Sequence, residues 1–334
     1  MTNDQGVQPK GESSKAIIAA IFGNIAVGII KFFAAAISGS AAMASEGIHS
    51  IVDSGNGILI LFGIRQARKD PDYLHPFGYG KELYFWTLVV ALLIFLLGGG
   101  ISIWKGVGSI QEVAEGTKVL GDVTLNYIIL FLAMFIEGLS LSVALHQFNA
   151  ARGDIGPLRF IRDTKDPSLY TVVLEDSAAE LGLVAALIST FLCHVTGILY
   201  FDGIASVFIG LLLCCVALIL LRETRGLLVG EGMKHETLDE LRSMVEADER
   251  VISCGRILTM YMGPESLLIA IDATFKGDLP AHDLLRAVDD IERKVQGRWP
   301  QTTRVFIEPE SIRQVLEQQR EEADWEDEYE DEDD

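Results

Sequence analysis

Residues 201–221 read FDGIASVFIGLLLCCVALILL, and Asp202 is the one charged side chain in this run. A helix needs about 20 mainly apolar residues to cross the hydrocarbon core of a bilayer. Other runs of comparable length and low charge precede it. The sequence therefore predicts an α-helical membrane protein with six spans, at residues 16–38, 41–64, 83–104, 123–147, 170–196 and 201–221.

Charge is distributed unevenly along the 334 residues. Hydrophobic residues make up 49% of the chain, yet the formal net charge is −20. Residues 1–230 carry 19 acidic and 15 basic side chains, whereas residues 231–334 carry 28 acidic and 12 basic ones. A nearly neutral apolar half and an acidic polar half exclude a single soluble domain and a disulfide-rich secreted fold. The pI of about 4.7 excludes nucleic acid as a partner, since nucleic-acid binding needs a basic surface.

Four regions follow from this division. We expect residues 1–15 to form a disordered arm, residues 16–230 a six-helix transmembrane domain, residues 231–310 a small soluble domain, and residues 311–334 an acidic disordered tail. The loops after the second, fourth and sixth spans are rich in Lys and Arg. Such loops stay in the cytoplasm, so both termini are predicted to be cytoplasmic. The expected location is a bacterial inner membrane.

The soluble domain shows two helical patterns and three strand patterns. Apolar residues recur at helical spacing in residues 237–247 and 281–295, and residues 251–260, 266–275 and 303–307 alternate as strands do. The order αββαβ predicts an α+β, ferredoxin-like fold in which two helices cover one face of a three-stranded sheet. We expect the other face and the sheet edge to bind a second copy, so the protein is predicted to be a homodimer.

Residues 45–53 of the second span read SEGIHSIVD. His49 and Asp53 are four residues apart, which places both on one helical face with Cβ atoms about 6 Å apart. An ionisable side chain costs about 2.5–3.5 kcal/mol at the centre of a membrane helix, so both residues need a partner. An imidazole and a carboxylate at this spacing suit two ligands of one metal ion. A His-Asp hydrogen bond between helices is the alternative.

Residues 174–180 of the fifth span, LEDSAAE, hold three more carboxylates. Asp176 and Glu180 share a helical face, whereas Glu175 points about 100° away. Carboxylates so close together repel one another unless cations or protons neutralise them. A divalent ion shared by Asp176 and the His-Asp pair of the second span, with a fourth ligand from this span, the backbone or water, removes the repulsion. Protonated acids near the membrane boundary are the alternative.

Further stretches accompany these acids, namely HPFGYGKE (75–82) between spans 2 and 3 and DGIAS (202–206) at the start of span 6. With SEGIHSIVD, they resemble the cation diffusion facilitator family of divalent-metal transporters. Six spans and an αββαβ domain extend the resemblance over residues 16 to about 309. The sequence from DPS (166–168) to VLEDSAAELG (173–182) further resembles the branch that contains the mitochondrial zinc transporter nine of animals.

The resemblance implies a transport site with two ligands four residues apart on span 2 and two more four apart on span 5. His49, Asp53 and Asp176 match three of these positions, and Val172, which has no ligand atom, stands at the fourth. Additional ligands or proton carriers are expected among the other intramembrane acids, Glu180, Glu175, Glu137 and Glu46. For the last two, a role in helix packing as neutral acids remains open.

The resemblance also implies a weaker site in the loop between spans 2 and 3. There the family uses an acid and two histidines; Asp72 and His75 match, whereas Tyr79 replaces the second histidine. We therefore expect a weak metal site or none in this loop. Many family members bind further metal through histidines in the strands of the soluble domain. The strands here contain no histidine, so no metal is assigned to them.

The predicted function is secondary active transport and not enzyme catalysis. We expect a homodimer that exports zinc from the cytoplasm in exchange for protons, since the ligands must lose protons to bind metal. Zinc suits a mixed imidazole and carboxylate site, and manganese, iron and cobalt are the alternatives because one ligand is missing. No organic cofactor is predicted, and the expected partners are metal ions, protons and lipid. A non-transporting metal sensor and a membrane metallohydrolase are the other function classes.

Overall fold

The membrane half of the protein consists of helices. A computed structural model describes residues 12–119, 121 and 124–309, with side chains in the first helix from Asn24 onward. The helices are α1 (Glu12–Ser38), α2 (Ala41–Ala67), α3 (Glu82–Leu93), α4 (Ile101–Ala114), α5 (Thr124–Arg152), the short α6 (Pro157–Asp163), α7 (Pro167–Thr196) and α8 (Tyr200–Val229). A π-helical segment, Ile94–Gly100, joins α3 to α4.

Within the described residues, five helices are long and apolar enough to cross a membrane. They are α2, α5, α7, α8 and the continuous helix Glu82–Ala114, which comprises α3, the π-helical segment and α4. The second to sixth predicted spans lie in these helices, except for residue 123, which is outside the described residues. The predicted acidic tail and most of the predicted N-terminal arm also lie outside them. The described side chains of α1 cover Asn24–Ser38, an apolar stretch shorter than a span, so the first span stays a prediction.

The helices extend beyond the apolar runs from which the spans were predicted. α8 ends at Val229 rather than at residue 221, and the helix that begins at Glu82 reaches Ala114 rather than residue 104. Hydropathy marks the part of a helix that suits lipid, whereas each further backbone hydrogen bond continues the helix into polar residues. The spans are therefore shorter than the helices that contain them.

Glycines let the helix Glu82–Ala114 pack closely against α8. A Cβ atom added at Gly106 would lie 2.7 Å from the carbonyl oxygen of Gly203. A Cβ atom added at Gly99 would lie 3.0 Å from the carbonyl oxygen of Gly210. These distances leave no space for a side chain. The two backbones approach each other at small residues, which is how membrane helices gain close contact when lipid is as apolar as their side chains.

We predict that Gly106→Ala lowers the melting temperature of the full chain in detergent, because the added methyl group would push the two helices apart. Gly108 lies on the same helix, and a Cβ atom there meets nothing within 4 Å. Gly108→Ala should therefore raise stability by about 0.5–1 kcal/mol, the usual gain when alanine replaces glycine inside a helix. Equal shifts for the two variants in thermal unfolding would contradict close packing at Gly106.

The C-terminal residues fold in the predicted order αββαβ. The elements are α9 (His235–Glu246), β1 (Val251–Gly263), β2 (Ser266–Phe275), α10 (Ala281–Arg298) and β3 (Thr302–Pro309). β1 pairs antiparallel with β2, and β2 pairs parallel with β3, which gives the strand order β1-β2-β3. The structure thus confirms a small mixed sheet with two helices in this part of the chain.

Alternate residues of β2 form the core of this sheet. Leu267, Ile269 and Ile271 are fully buried. They belong to one apolar cluster with Leu241 of α9 and Ile291 of α10. Since side chains alternate across a strand, α9 and α10 cover the same face of the sheet. In the described residues β1 and β3 form its two edges.

Contacts divide the described residues into two compact units. One unit contains the residues up to 66 together with 82–225, and the other contains residues 67–81 together with those from 226 onward. Residues 67–81 comprise the end of α2 and the loop that leads to α3, and they belong to the same unit as the C-terminal residues. Within that second unit, Lys81 Nζ donates a 3.4 Å hydrogen bond to the carbonyl oxygen of Leu228.

Candidate metal centre

His49 and Asp53 lie side by side on α2, as their spacing predicts. Nε2 of His49 is 3.3 Å from Oδ2 of Asp53, and the two side chains are 3% and 16% exposed. Nε2 of His49 and Oδ1 of Asp53 are buried, and no described residue forms a hydrogen bond with either atom. A buried polar atom without a partner costs about 1–3 kcal/mol. The pair is therefore suited to a ligand that binds nitrogen and oxygen together, such as a divalent metal ion.

Asp176 lies on α7 and contacts α5. Its Oδ2 accepts a 2.9 Å hydrogen bond from the hydroxyl of Ser140. Over residues 12–119, 121 and 124–309, no three His, Cys, Asp or Glu side chains converge closely enough to hold a metal ion. The structure thus brings two of the three predicted ligands together, and the participation of Asp176 stays a prediction. Val172, one turn earlier on α7, is 39% exposed.

Glu175 connects α7 to α2. Its Oε1 accepts a 2.9 Å hydrogen bond from Nδ2 of Asn56, and its side chain is buried. Asn56 follows Asp53 by three residues, about one helical turn. The helix that carries Asp176 is thereby bound to the helix that carries His49 and Asp53. Asn56 gave no signal in the sequence because an uncharged amide does not stand out in a membrane span.

Lys31 of α1 is the centre of a buried ion-pair network. Its Nζ donates to Oε1 of Glu137 at 2.7 Å, to Oγ of Ser50 at 3.0 Å and to Oε2 of Glu46 at 3.1 Å. These bonds use all three donors of the ammonium group and connect α1 to α2 and α5. The sequence pattern indicates both carboxylates but misses their shared partner. A lone lysine in an apolar run was the signal that could have identified it.

Glu180 of α7 lies against α5. Both of its carboxylate oxygens are 3.9 Å from the position that a Cβ atom would take at Gly138, the residue after Glu137. Oε1 of Glu46 lies against Gly182 of α7, where it takes the space of a side chain. Among the described residues, Oε1 of Glu46, Oε2 of Glu137 and Oε2 of Glu180 are all buried without a hydrogen-bond partner. One glutamate from each of the helices α2, α5 and α7 thus has an unpartnered oxygen.

The predicted loop site is filled by internal hydrogen bonds. Oδ2 of Asp72 accepts a 2.7 Å bond from the hydroxyl of Tyr79, and Oδ1 accepts a 2.7 Å bond from the backbone nitrogen of His75. The bond from Tyr79 holds the pKa of the Asp72 carboxyl below its ordinary value. Tyr79 therefore binds the acid from the position where the family pattern has a second histidine. This arrangement favours a weak loop site or none.

Asp202 of α8 holds the start of α2, the helix that carries His49 and Asp53. Its carboxylate accepts hydrogen bonds from the hydroxyl of Ser40 at 2.5 Å and from the backbone nitrogen of Ala41 at 2.7 Å. Nζ of Lys118 is 3.4 Å from the same carboxylate. Asp202 thus caps α2 from another helix and satisfies N–H groups that have no partner within α2.

Residues 17–229 match the cation efflux transmembrane domain. The chain belongs to the cation efflux, or cation diffusion facilitator, family. The match includes all the membrane helices described above except the first residues of α1. It confirms the resemblance that the motifs of spans 2 and 6 indicate.

Relatives of this cation efflux protein come from plants, animals and bacteria. Metal tolerance protein C4 of Arabidopsis thaliana is 30% identical over 276 residues, which are 82% of this chain and 60% of the relative. The mitochondrial proton-coupled zinc antiporter SLC30A9 of Homo sapiens is 28% identical over 261 residues, 78% of this chain and 45% of the relative. Manganese efflux system protein MneP of Bacillus subtilis is 23% identical over 294 residues, 84% of this chain and 92% of the relative.

The chain spans 60% and 45% of the length of the plant and human relatives, and nearly all of the bacterial one. The matches to the mitochondrial zinc antiporters of vertebrates confirm the predicted branch of the family.

We predict that Asp202→Asn destabilises the chain by about 2 kcal/mol, because hydrogen bonds to a charged group contribute more than those to a neutral amide. The change also removes the negative charge beside Lys118. Thermal unfolding of the full chain in detergent measures the effect. Asp154→Asn, at an exposed carboxylate in the loop after α5, is the control and should leave the melting temperature unchanged. An Asp202→Asn protein as stable as this control would disprove the capping role.

Proposed function

We propose that this member of the cation efflux family is a secondary transporter that moves zinc across a membrane in exchange for protons. The buried His49–Asp53 pair carries the proposal, because a membrane helix holds a ligand nitrogen and a ligand oxygen that have no hydrogen-bond partner among the described residues. An imidazole with carboxylates suits zinc. The similarity to the human proton-coupled zinc antiporter supports both the ion and the exchange.

We infer that Asp176 completes the site with His49 and Asp53 when the metal binds. One hydrogen bond from Ser140 holds Asp176, so the carboxylate can exchange this bond for the metal at modest cost. The contact between Glu175 and Asn56 keeps α7 beside α2 during such a change. Glu175, Glu180 or water supplies the fourth ligand, since Val172 cannot.

The exchange of metal for protons follows from the chemistry of these ligands. His49 must be neutral, and the carboxylates ionised, before they bind a divalent ion. Metal binding therefore releases protons on the less acidic side, and protonation releases the metal on the more acidic side. Movement of helices around a site near the middle of the membrane opens it to each side in turn.

The proposed architecture has six spans, the first of them in α1, and both termini in the cytoplasm of a bacterial inner-membrane protein. We further propose that the ferredoxin-like domain of residues 231–310 joins two copies into a homodimer, with residues 16–230 as the transport domain. The edges of the three-stranded sheet support this assignment, because an edge strand has unpaired backbone groups that a second chain can bind.

Manganese is the second candidate substrate. Val172 stands where a ligand is expected, so carboxylate and water oxygens form most of the proposed site, and such ligands suit manganese. The similarity to the manganese efflux protein of Bacillus subtilis over 84% of this chain supports the same ion. Iron and cobalt are further candidates on the same ligand chemistry. A competition assay with zinc, manganese, iron and cobalt would show which ion the protein prefers.

We predict that the full chain in liposomes moves zinc against a flow of protons when a pH gradient is applied. Changes to residues that support the ligands of a metal site usually lower metal affinity or activity by roughly 10–100-fold. His49→Gln and Asp53→Asn should each lower the zinc flux by more than this, since each removes a ligand atom. Ser142→Ala, at an exposed hydroxyl of α5, is the control and should transport normally.

Normal flux in the Asp53→Asn protein would disprove the proposed site. Saturable zinc binding by the unchanged protein without pH-driven flux would instead indicate a metal sensor.

A further inference from the structure

The ion-pair network around Lys31 contains two carboxylates and one ammonium group. Nζ of Lys31 is 2.7 Å from Oε1 of Glu137 and 3.1 Å from Oε2 of Glu46. The Lys31 and Glu46 side chains are 0% exposed, and Glu137 is 13% exposed. With both acids ionised, one negative charge has no counter-charge within the network. A buried charge without compensation is costly, so such a group is neutralised instead.

We propose that this network is a proton-binding site distinct from the metal pair, in which Glu137 carries a proton that the transporter exchanges for metal. The inference rests on the proposed function and deepens it. Oε1 of Glu137 stays bound to Lys31, while Oε2 is buried and has no hydrogen-bond partner in the part of the chain that the structure describes. A proton on Oε2 therefore neutralises the network without breaking an existing hydrogen bond.

The proton balance of the step is simple. Hydronium on the more acidic side gives up a proton: one of its O–H bonds breaks, water is left, and an O–H bond forms at Oε2 of Glu137. On the other side that bond breaks, and the proton passes to a water molecule to form hydronium there. Glu137 is the more accessible of the two acids that bind Lys31, because Glu46 is fully buried. Glu46 holds the Lys31 ammonium in place while the charge of Glu137 changes.

A divalent metal ion is a poor alternative occupant of this network. The ammonium group of Lys31 lies within 3.1 Å of an oxygen of both carboxylates. A metal ion bound to those oxygens would lie a few ångströms from a fixed positive charge, and the two would repel each other strongly in a medium of low dielectric constant. A proton adds no such close contact, because it binds Oε2 of Glu137, the oxygen that accepts no hydrogen bond from Lys31.

Charged groups on the neighbouring helices α2 and α7 interact electrostatically with Glu137. Glu180 on α7 lies against Gly138, and Asp176 on the same helix interacts electrostatically with Glu137. On α2, Asp53 does so as well. A metal ion at the site of Asp53 and Asp176 would therefore repel a proton on Glu137. This repulsion couples the two sites, since binding of either cation favours release of the other.

The remaining groups near the network belong to the same helices. His49 lies on α2 with Asp53, and Glu175 lies on α7 with Asp176 and Glu180. Lys31 interacts electrostatically with both Glu180 and His49. His49 is neutral when it binds metal, so Lys31 is the fixed positive charge of the network.

Two transport assays on the full chain in liposomes test the proposal. Glu137→Gln keeps the shape of the side chain but removes its ability to take up a proton. We expect pH-driven zinc flux to fall by about 100-fold, the lower end of what a positioned general acid or base contributes to a proton-transfer step. Exchange of radioactive zinc for unlabelled zinc at equal pH on both sides should continue unchanged, since this exchange needs no proton movement.

Glu46→Gln is a second variant that removes the same charge from another helix. In that protein the charges of Lys31 and Glu137 balance each other, so Glu137 has no reason to take up a proton. We again expect pH-driven zinc flux to fall while zinc exchange at equal pH continues. Glu82→Gln is the control at a carboxylate of α3, which accepts a 2.9 Å bond from Nε1 of Trp86. It should transport and exchange zinc as the unchanged protein does.

Normal pH-driven flux in both the Glu137→Gln and Glu46→Gln proteins would overturn the proposal. Loss of both zinc exchange and pH-driven flux would also overturn the proposal, provided that the variants elute from size exclusion as the unchanged protein does. The network would then be needed for the movement of the metal itself. Zinc flux that does not respond to pH in the unchanged protein would overturn the proposed function, on which the inference rests.

Discussion

A charged or polar side chain inside a membrane helix has no water to bind, so it must find its partner elsewhere in the protein. The described helices meet this requirement through contacts between helices. Lys31 joins α1 to α2 and α5, and Asn56 of α2 binds Glu175 of α7. Asp202 of α8 caps the start of α2. The polar residues therefore fix the helix arrangement, while apolar side chains face either lipid or one another.

The same requirement identifies the atoms available for function. In the described part of the transmembrane unit, most buried charged groups have a protein partner. Among the described residues, His49 Nε2 and Asp53 Oδ1 have no hydrogen-bond partner, and neither do single oxygens of three nearby glutamates. Glu46 precedes His49 by three residues, about one turn of α2. A metal site and a proton site so close together interact through charge, which is the physical basis that we propose for their exchange.

Local patterns in the sequence predicted the parts of this structure that depend on neighbours along the chain. Hydropathy located the helices that contain spans two to six, and the four-residue spacing placed His49 beside Asp53. Alternation of apolar residues gave the strands of the C-terminal sheet. Each of these features repeats within a few residues, so a single sequence contains the necessary information.

Contacts between distant residues could not be predicted in this way. Lys31 and Glu137 are 106 residues apart, and Ala41 and Asp202 are 161 apart. Periodicity gives no information about which distant residues meet, so the partner of each intramembrane acid and the cap of α2 required the structure. The helix ends and the π-helical segment were also missed, because hydropathy does not report backbone hydrogen bonding.

We propose that His49, Asp53 and Asp176 bind one divalent ion within the membrane helices. X-ray absorption of the full chain loaded with zinc in lipid nanodiscs identifies the ligands of that ion. We expect one zinc per chain, with an imidazole nitrogen and carboxylate or water oxygens at about 2.0–2.2 Å, and loss of the imidazole signal in the His49→Gln protein. A zinc shell without imidazole in the unchanged protein, or an imidazole signal that survives His49→Gln, would show that these residues do not hold the metal.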